Sequence, residues 1–294
     1  MPIRYTEDEA TVLYNCSVVV CSNGYVKGRK YKKSFRKVKE GFECDIKEVS
    51  LPKSKNENAE NVITQSNLTR CKSTLIEYAS ENAEFFHSFI TLTFADLITD
   101  INKANKMFNS FITTLRQYYP SLMYLGVPEF QKRGAVHYHL LTNLVCDIDI
   151  PKREIKRLYN EQDKKYTELE YYDIPHWKHG FSSAFNLDMT DDKFNVALYI
   201  TKYLYKDIDN RLWGHKKILK SNNLRKPSKY FIENNETYKE AMKYIEEKGY
   251  QMTVYDFRPQ EPYQVPFTQV TAFISQSDCN TIKDLLKNEY CTNI

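Results

Sequence analysis

Glycine is scarce in this chain, with 8 glycines among 294 residues. Neither a GxxxxGK[ST] segment nor a GxGxxG segment can be written, which excludes a Walker-type phosphate loop and a dinucleotide-binding loop. No run of about 18 or more apolar residues exists, so no membrane-spanning helix is expected. The segment MPIRYTEDEA is acidic where a signal peptide would be basic and then apolar, which favours a cytoplasmic location.

The cysteines also lack a recognisable pattern. There are 7 of them, an odd number, and no two stand in CxxC spacing. This distribution predicts reduced thiols in a cytoplasm and argues against a disulfide framework or a zinc knuckle.

Positive charge is concentrated in two stretches, although the net charge is only +4. Residues 22–39 contain eight Lys or Arg and no acid, and residues 202–229 contain nine against Asp207 and Asp209. Aromatic residues are interleaved with the cations in both. Because cations neutralise phosphates and aromatic faces stack on unpaired bases, we expect both stretches to bind DNA. In the second stretch the expected contacts are Lys202, Lys216, Lys217 and Lys220; a merely solvated surface is the alternative.

The order of predicted elements indicates an α+β fold with a mainly antiparallel central sheet flanked by helices. A helix capped by Asp96 is expected to run to about Tyr119, with an apolar stripe at Leu97, Ile101, Ala104, Phe108, Phe111, Ile112 and Leu115. Strands are predicted at 89–94, 122–131, 135–143 and 177–188, and further helices at 151–161 and 191–207. The expected domains are an N-terminal region at 1–84, a central domain at 85–210 and a C-terminal extension at 211–294.

Residues 128–141, PEFQKRGAVHYHLL, predict a hairpin that brings three metal ligands together. A three-residue loop at 132–134 favours glycine at its last position, which Gly134 provides. The register then pairs Glu129 with His137, and strand alternation places His139 on the same face. Two imidazoles and a carboxylate suit a divalent cation with open positions for substrate oxygens. The alternative is that both histidines are ordinary core residues.

The predicted helix at 191–207 carries two tyrosines on one face. Tyr199 and Tyr203 are four residues apart, Lys206 lies beside them, and Tyr205 belongs to the apolar stripe. A phenol whose oxyanion is stabilised by a cation can attack phosphorus. Two ordinary amphipathic tyrosines are the alternative.

Taken together, these segments resemble the HUH endonuclease superfamily, specifically the rolling-circle replication initiators of small phages and plasmids. FITLTF at 89–94 resembles the first motif, EFQKRGAVHYHLL at 129–141 the metal-binding strand, and YITKYLYK at 199–206 the tyrosine helix. The resemblance covers about residues 85–229. One departure is Tyr138, which stands where the family has an aliphatic residue between the two histidines.

The resemblance implies a sequence-specific nicking and joining enzyme for single-stranded or hairpin origin DNA. A tyrosine would make the cut and leave a 5′-phosphotyrosine. Because Lys202 and Lys206 lie near Tyr203 and would stabilise its phenolate, we favour Tyr203 for the first cut and Tyr199 for the resolving step. The stretch KYLYK also resembles the single-tyrosine plasmid form, in which Tyr203 would act alone. His137, His139 and Glu129 would bind Mg²⁺ or Mn²⁺, and a host helicase and polymerase would be partners. An HUH transposase or relaxase would use the same site, and a non-catalytic DNA-binding protein is a further alternative.

Overall fold

The computed structural model describes residues 10–40, 65–160, 165–187, 210–258 and 265–293 and confirms the expected α+β fold. The described chain divides into two compact units, one within residues 60–225 and one that combines residues from 1–59 and 226–294. In chain order the elements are β1 Thr11–Val20, β2 Tyr25–Val38, α1 Gln65–Glu81, β3 Ser88–Phe94, α2 Ile101–Tyr118, β4 Tyr124–Phe130, β5 Val136–Thr142, β6 Lys152–Asn160, β7 Lys165–Tyr172, β8 Gly180–Asn186, β9 Leu219–Lys220, β10 Ser228–Ile232, α3 Asn235–Glu247, β11 Met252–Phe257, β12 Phe267–Phe273, α4 Gln276–Leu285 and β13 Tyr290–Asn293.

The central unit is built on a seven-stranded sheet in the order β6-β7-β8-β3-β5-β4-β9, and its paired strands are antiparallel. Helix α2 covers one face of this sheet with an apolar stripe that includes Phe108, Phe111 and Leu115. Leu75 and Tyr78 of α1 pack against residues of the opposite face. Both faces therefore contribute to a core, as expected for a sheet between helices.

The second unit contains a six-stranded sheet in the order β11-β12-β2-β1-β10-β13, also with antiparallel pairs. Helices α3 and α4 pack on one face of it. The core there includes Val18, Ile232, Met242 and Ile282. Strands from residues 11–38 and from residues 228–293 share this sheet. The expected separate N-terminal and C-terminal regions therefore contribute to one unit.

The boundaries of the units differ from those expected at residues 84 and 210. Helix α1, within the expected N-terminal region, packs in the core of the central unit. Leu212 and Leu224, within the expected C-terminal extension, are buried in that unit as well. The reason is that apolar burial, not sequence proximity, sets the boundary.

Helix α2 begins later than predicted, and Asp96 does not cap it. The N-cap is Asp100, whose carboxylate accepts a hydrogen bond from the Asn102 backbone N–H. Leu97 precedes the helix and is 59% exposed, so its assignment to the apolar stripe is wrong. The other six predicted positions of the stripe are buried.

The helix predicted at 151–161 is also wrong, because residues 152–160 form β6. This strand pairs with β7 in a hairpin, with Lys152 opposite Tyr172. A proline before the first residue fits a strand as well as a helix, and the backbone hydrogen bonds of the hairpin decide between them. The strand predicted at 177–188 begins only at Gly180, and the helix predicted at 191–207 lies outside the described residues.

Two further expectations can be compared with the described part of the chain. Six of the cysteines lie in it, and all six are free thiols. None of the helices found there combines the length and the apolar character needed to cross a membrane.

The corrected start of α2 predicts unequal effects of two aspartate substitutions. Asp100→Ala should lower the free energy of unfolding by about 0.5–2 kcal/mol, because it removes an N-cap hydrogen bond. Asp96→Ala is the matched control and should change it by less than about 0.5 kcal/mol, since its side chain is exposed. Urea unfolding of the three proteins measures this. A larger loss for the Asp96 variant would contradict the assigned cap.

Candidate functional site

The hairpin of β4 and β5 has the predicted register. Glu129 is opposite His137, and Phe130 is opposite Val136. Gly134 has a φ of 89°, in the left-handed region, and its N–H donates to the Gln131 carbonyl at 2.8 Å. The turn therefore closes as expected, and it fixes which side chains of β5 face the same way.

The two histidines and Glu129 meet on one face of the central sheet. The Nε2 atom of His139 lies 2.6 Å from Oε2 of Glu129. The ring centroids of His137 and His139 are 6.2 Å apart. His137 and His139 are only 9% and 5% exposed, so the three groups lie in a recess and not on an open surface.

Groups on β3 fix the orientation of the His139 ring. Its Nδ1 atom lies 3.2 Å from the Thr91 hydroxyl, and the Phe89 ring stacks on it with centroids 5.7 Å apart. Since both ring nitrogens have polar neighbours, the ring cannot flip without losing contacts. Thr91 was missed by sequence reasoning, although its alternation with Phe89 and Thr93 in a buried strand already places it on one face.

His137 has a different environment. Its Nε2 atom is buried without a hydrogen-bond partner. Burial lowers the pKa of His137 to about 4, with smaller contributions from His139 and Arg133, while Glu129 opposes the change. The ring is therefore neutral near pH 7, which is the protonation state a metal ligand needs. A buried nitrogen without a partner is costly, so an atom that bonds to it would stabilise the recess.

Two side chains hold the end of β3 beside this recess. Arg133 donates from Nη2 to the Phe94 carbonyl at 2.9 Å, and Trp177 donates from Nε1 to the Thr93 carbonyl at 3.0 Å. Thr93 is directly opposite His137. Sequence reasoning missed both positioning residues, because the bonds join parts of the chain that only the tertiary structure brings together.

The three predicted ligands do not form a ready-made coordination shell. In the described ranges, no group of three or more His, Cys, Asp or Glu side chains is arranged to hold a metal ion. Glu129 bonds directly to His139, so it would have to exchange this contact for a cation. The ligand types and the unpartnered nitrogen of His137 nevertheless fit a divalent cation. The metal site stays a prediction.

Tyr199, Tyr203, Lys206 and Lys202 lie outside the described residues. The chain on either side of them is well anchored. Before the gap, the Leu187 N–H donates to the His87 carbonyl, at the end of β8 farthest from the recess. After it, the Arg211 guanidinium lies 3.9 Å from the Phe130 ring centroid and 3.4 Å from the Gly134 carbonyl. The intervening residues therefore connect the far end of the sheet to the turn of the hairpin.

The other predicted DNA contacts lie in the segment that leads to β9. Lys216 and Lys220 are exposed, and Lys216 lines a cleft beside Asn105 and Asn109 of α2. The Lys220 ammonium lies 4.5 Å from the ring centroid of Tyr78 of α1, on the opposite face of the sheet. The ammonium of Lys217 lies 3.3 Å from the Leu212 carbonyl, so it also holds the local backbone together. The structure thus leaves two of these three lysines exposed, one beside α2 and the other beside α1.

Comparison with known proteins relates this segment to replication proteins. Residues 87–208, less than half of the chain, match the family described as replication-associated protein ORF2/G2P. The phasyl DNA replicon protein arp of Escherichia coli is 33% identical over 129 residues, which are 42% of this chain. The chain spans only 44% of that relative's length, and no solved structure matches. These likenesses support a replication-initiator family and a role in DNA replication.

The environment of His137 predicts an unusual titration in the metal-free protein. By NMR its ring should titrate near pH 4, whereas an unfolded histidine titrates near pH 6.5. Between these two values only the unfolded chain binds the proton, so stability should fall as the pH falls from about 6.5 to about 4. His137→Gln should lose this part of the pH dependence. An apparent pKa close to 6.5 would contradict the buried placement.

Proposed function

We propose that this protein is a replication initiator that nicks and rejoins single-stranded origin DNA by tyrosine transesterification. The observation that carries the proposal is the meeting of Glu129, His137 and His139 in one recess at the end of a sheet. Replication as the process is supported by the match of residues 87–208 to a replication-associated family. A transposase or a relaxase would use the same groups, and the names of the matching family and of the relative favour replication.

In this proposal His137, His139 and Glu129 hold Mg²⁺ or Mn²⁺. When bound, the ion would supply Lewis-acid polarisation of the scissile phosphate. Nε2 of His137 is already buried, neutral and without a hydrogen-bond partner. Thr91 and Phe89 keep the His139 ring in place from the other side. The protein thus contributes two oriented imidazoles and one carboxylate that must move.

The nucleophiles in the proposal are Tyr203 and Tyr199. The chain on either side of the segment that contains them is anchored to the central unit, by Leu187 at His87 and by Arg211 at Phe130 and Gly134. The proposal takes both tyrosines, four residues apart, from one face of the predicted helix at 191–207.

The proposed reaction conserves the energy of the bond that it breaks. The Tyr203 oxygen attacks phosphorus, the 3′ oxygen leaves as a hydroxyl, and the 5′ phosphate stays on the tyrosine. Attack of a 3′ hydroxyl on the phosphotyrosine breaks the tyrosine–phosphorus bond, restores a phosphodiester and releases the phenol. Tyr199 would make the second cut, after one round of replication, and so free the 3′ hydroxyl that is joined. Lys206 would stabilise the phenolate. No ATP is needed, which is consistent with the lack of a Walker motif, so unwinding and synthesis would depend on a host helicase and polymerase.

Single-stranded or hairpin origin DNA would contact basic side chains of the central unit. Lys220 lies beside Tyr78 of α1, which packs against the face of the sheet that carries the recess, whereas Lys216 lines the cleft beside α2. Lys202 belongs to the same basic stretch. Exposed ammonium groups gain free energy from phosphates by releasing condensed cations. These lysines would therefore contribute affinity, whereas the recess contributes chemistry.

The metal assignment is tested by replacing the ligands without leaving cavities. Both histidines are buried, so glutamine is preferable to alanine because it leaves a smaller cavity. His137→Gln combined with His139→Gln should lower nicking of an origin oligonucleotide in Mn²⁺ at least about a hundredfold. His176→Gln, which changes a histidine stacked on Tyr118, is the control and should nick normally. Nicking that persists in EDTA or in the folded double variant would refute the metal site.

Phenylalanine substitutions test the nucleophiles, because they delete one oxygen and preserve packing. Tyr203→Phe should lose most of the covalent protein–DNA adduct, whereas Tyr199→Phe should cut once and fail to rejoin. Tyr205→Phe is the matched control and should do both. Denaturing gels and peptide mass spectrometry of the trapped adduct measure these outcomes. An adduct on Tyr205 would show that the predicted face of the helix is wrong.

A further inference from the structure

We propose that the second unit binds single-stranded DNA on the face of its sheet that is turned away from α3 and α4. The residues that carry this inference are an array of aromatic rings with cations placed on them. This unit lies outside the segment that matches the replication-associated family. The inference takes its DNA from the proposed function, but it does not depend on nicking.

Strand alternation separates the two faces of this sheet. Val18, Val26 and Ile232 point to the side of α3 and α4 and belong to the core there. Their neighbours in sequence point to the other side. On that side, within the described residues, stand the rings of Tyr14, Tyr31, Phe35, Phe231, Phe257, Phe267 and Tyr290, which form the aromatic array.

The rings of the array contact one another across all six strands of the sheet. Phe257 stacks on Phe267 with centroids 4.9 Å apart, and Phe267 meets Tyr31 at 5.8 Å. Tyr14 then lies 6.1 Å from Tyr31 and 4.8 Å from Phe231. These contacts hold the rings in a continuous row. Such a row fits successive bases of an extended strand, because bases stack on aromatic side chains of sheets.

Cations accompany the rings. The Lys37 ammonium lies 4.4 Å from the centroid of Phe231, and that of Lys229 lies 5.0 Å from it. The Arg29 guanidinium lies 4.9 Å from the centroid of Phe267. Residues 22–39, which include all of β2, contain no acid. This concentration of positive charge favours a polyanionic ligand, because an apolar protein partner would offer no phosphates to these cations.

The burial of the array differs from that of the opposite face. Six of its rings are half-buried, whereas Val18 and Ile232 on the helix side are fully buried. Part of the same face, at Val19 and Tyr25, is buried, so the proposed surface is limited to the part around Tyr31 and Phe267. Half-buried rings present an edge or a face to a ligand. Unpaired bases can stack on them, but the bases of a duplex are already stacked on one another.

The test measures the affinity for a labelled oligothymidylate of about 20 nucleotides, in EDTA, by fluorescence anisotropy. This length exceeds a typical site size of about 4–16 nucleotides. Tyr31→Leu combined with Phe267→Leu keeps apolar volume but removes the rings, and it should weaken binding at least about tenfold. Tyr118→Leu, at an exposed tyrosine of the central unit, is the matched control and should bind normally. Binding of a duplex of equal length should change less than twofold.

A charge variant tests the electrostatic part. Lys37→Gln should reduce the slope of log Kd against log salt by about 0.7, the contribution of one phosphate contact on a single strand. Lys239→Gln, on the exposed side of α3 and paired with Glu236, is its control. If the double leucine variant fails to fold, the oligothymidylate affinities of Lys37→Gln and of Tyr255→Leu, at an exposed position of β11, are compared with that of the parent protein instead.

Specific outcomes would overturn the inference. An unchanged affinity of the folded leucine variant would do so, and so would an equal loss for single-stranded and duplex DNA. A change in oligomeric state with unchanged DNA affinity would identify the face as a contact between copies instead. The proposed nicking is tested separately, by the glutamine and phenylalanine variants at His137, His139, Tyr203 and Tyr199. A parent protein that binds but never nicks would refute the nicking and leave the binding surface intact.

Discussion

The site depends on the register of one hairpin. Gly134 closes the turn at positive φ, and the pairing of Glu129 with His137 follows from it. A slip of one residue would turn both histidines to the opposite face of the sheet. There, Tyr138 now stacks on Phe108 with ring centroids 4.5 Å apart. A polar recess and an apolar core are thus set by the same strand and the same turn.

Tyr138 also explains why a bulky residue is accommodated between the two histidines. Its ring is fully buried under α2, and its hydroxyl donates to the Asn105 side chain at 2.8 Å. The hydroxyl therefore has a partner at the rim of the core, and the ring fills the space that an aliphatic side chain would fill only in part. Packing on this side fixes the strand, which in turn fixes the histidines on the other side.

Much of the site could be predicted from sequence, because it is local. The recess is determined by features that lie within a dozen residues of one another. These are the alternation of side chains along the strands, the glycine of the turn and three polar side chains. The contacts that hold it could not be predicted. Arg133 and Trp177 bond to carbonyls of β3, and nothing in the sequence near either residue specifies that partner. The same limitation explains the error at 152–160, where pairing with β7 determined the structure.

Polar side chains have different surroundings in the two sheets of the protein. In the central sheet, helices pack against both faces, so each buried polar side chain must have a partner or remain costly. His139 has partners at both nitrogens, whereas Nε2 of His137 has none. In the second sheet α3 and α4 cover one face, and the other combines rings with cations. A recess with one unsatisfied nitrogen favours a small, precisely placed ligand, whereas a row of half-buried rings tolerates any base. This physical difference is the basis for proposing chemistry in one unit and strand binding in the other.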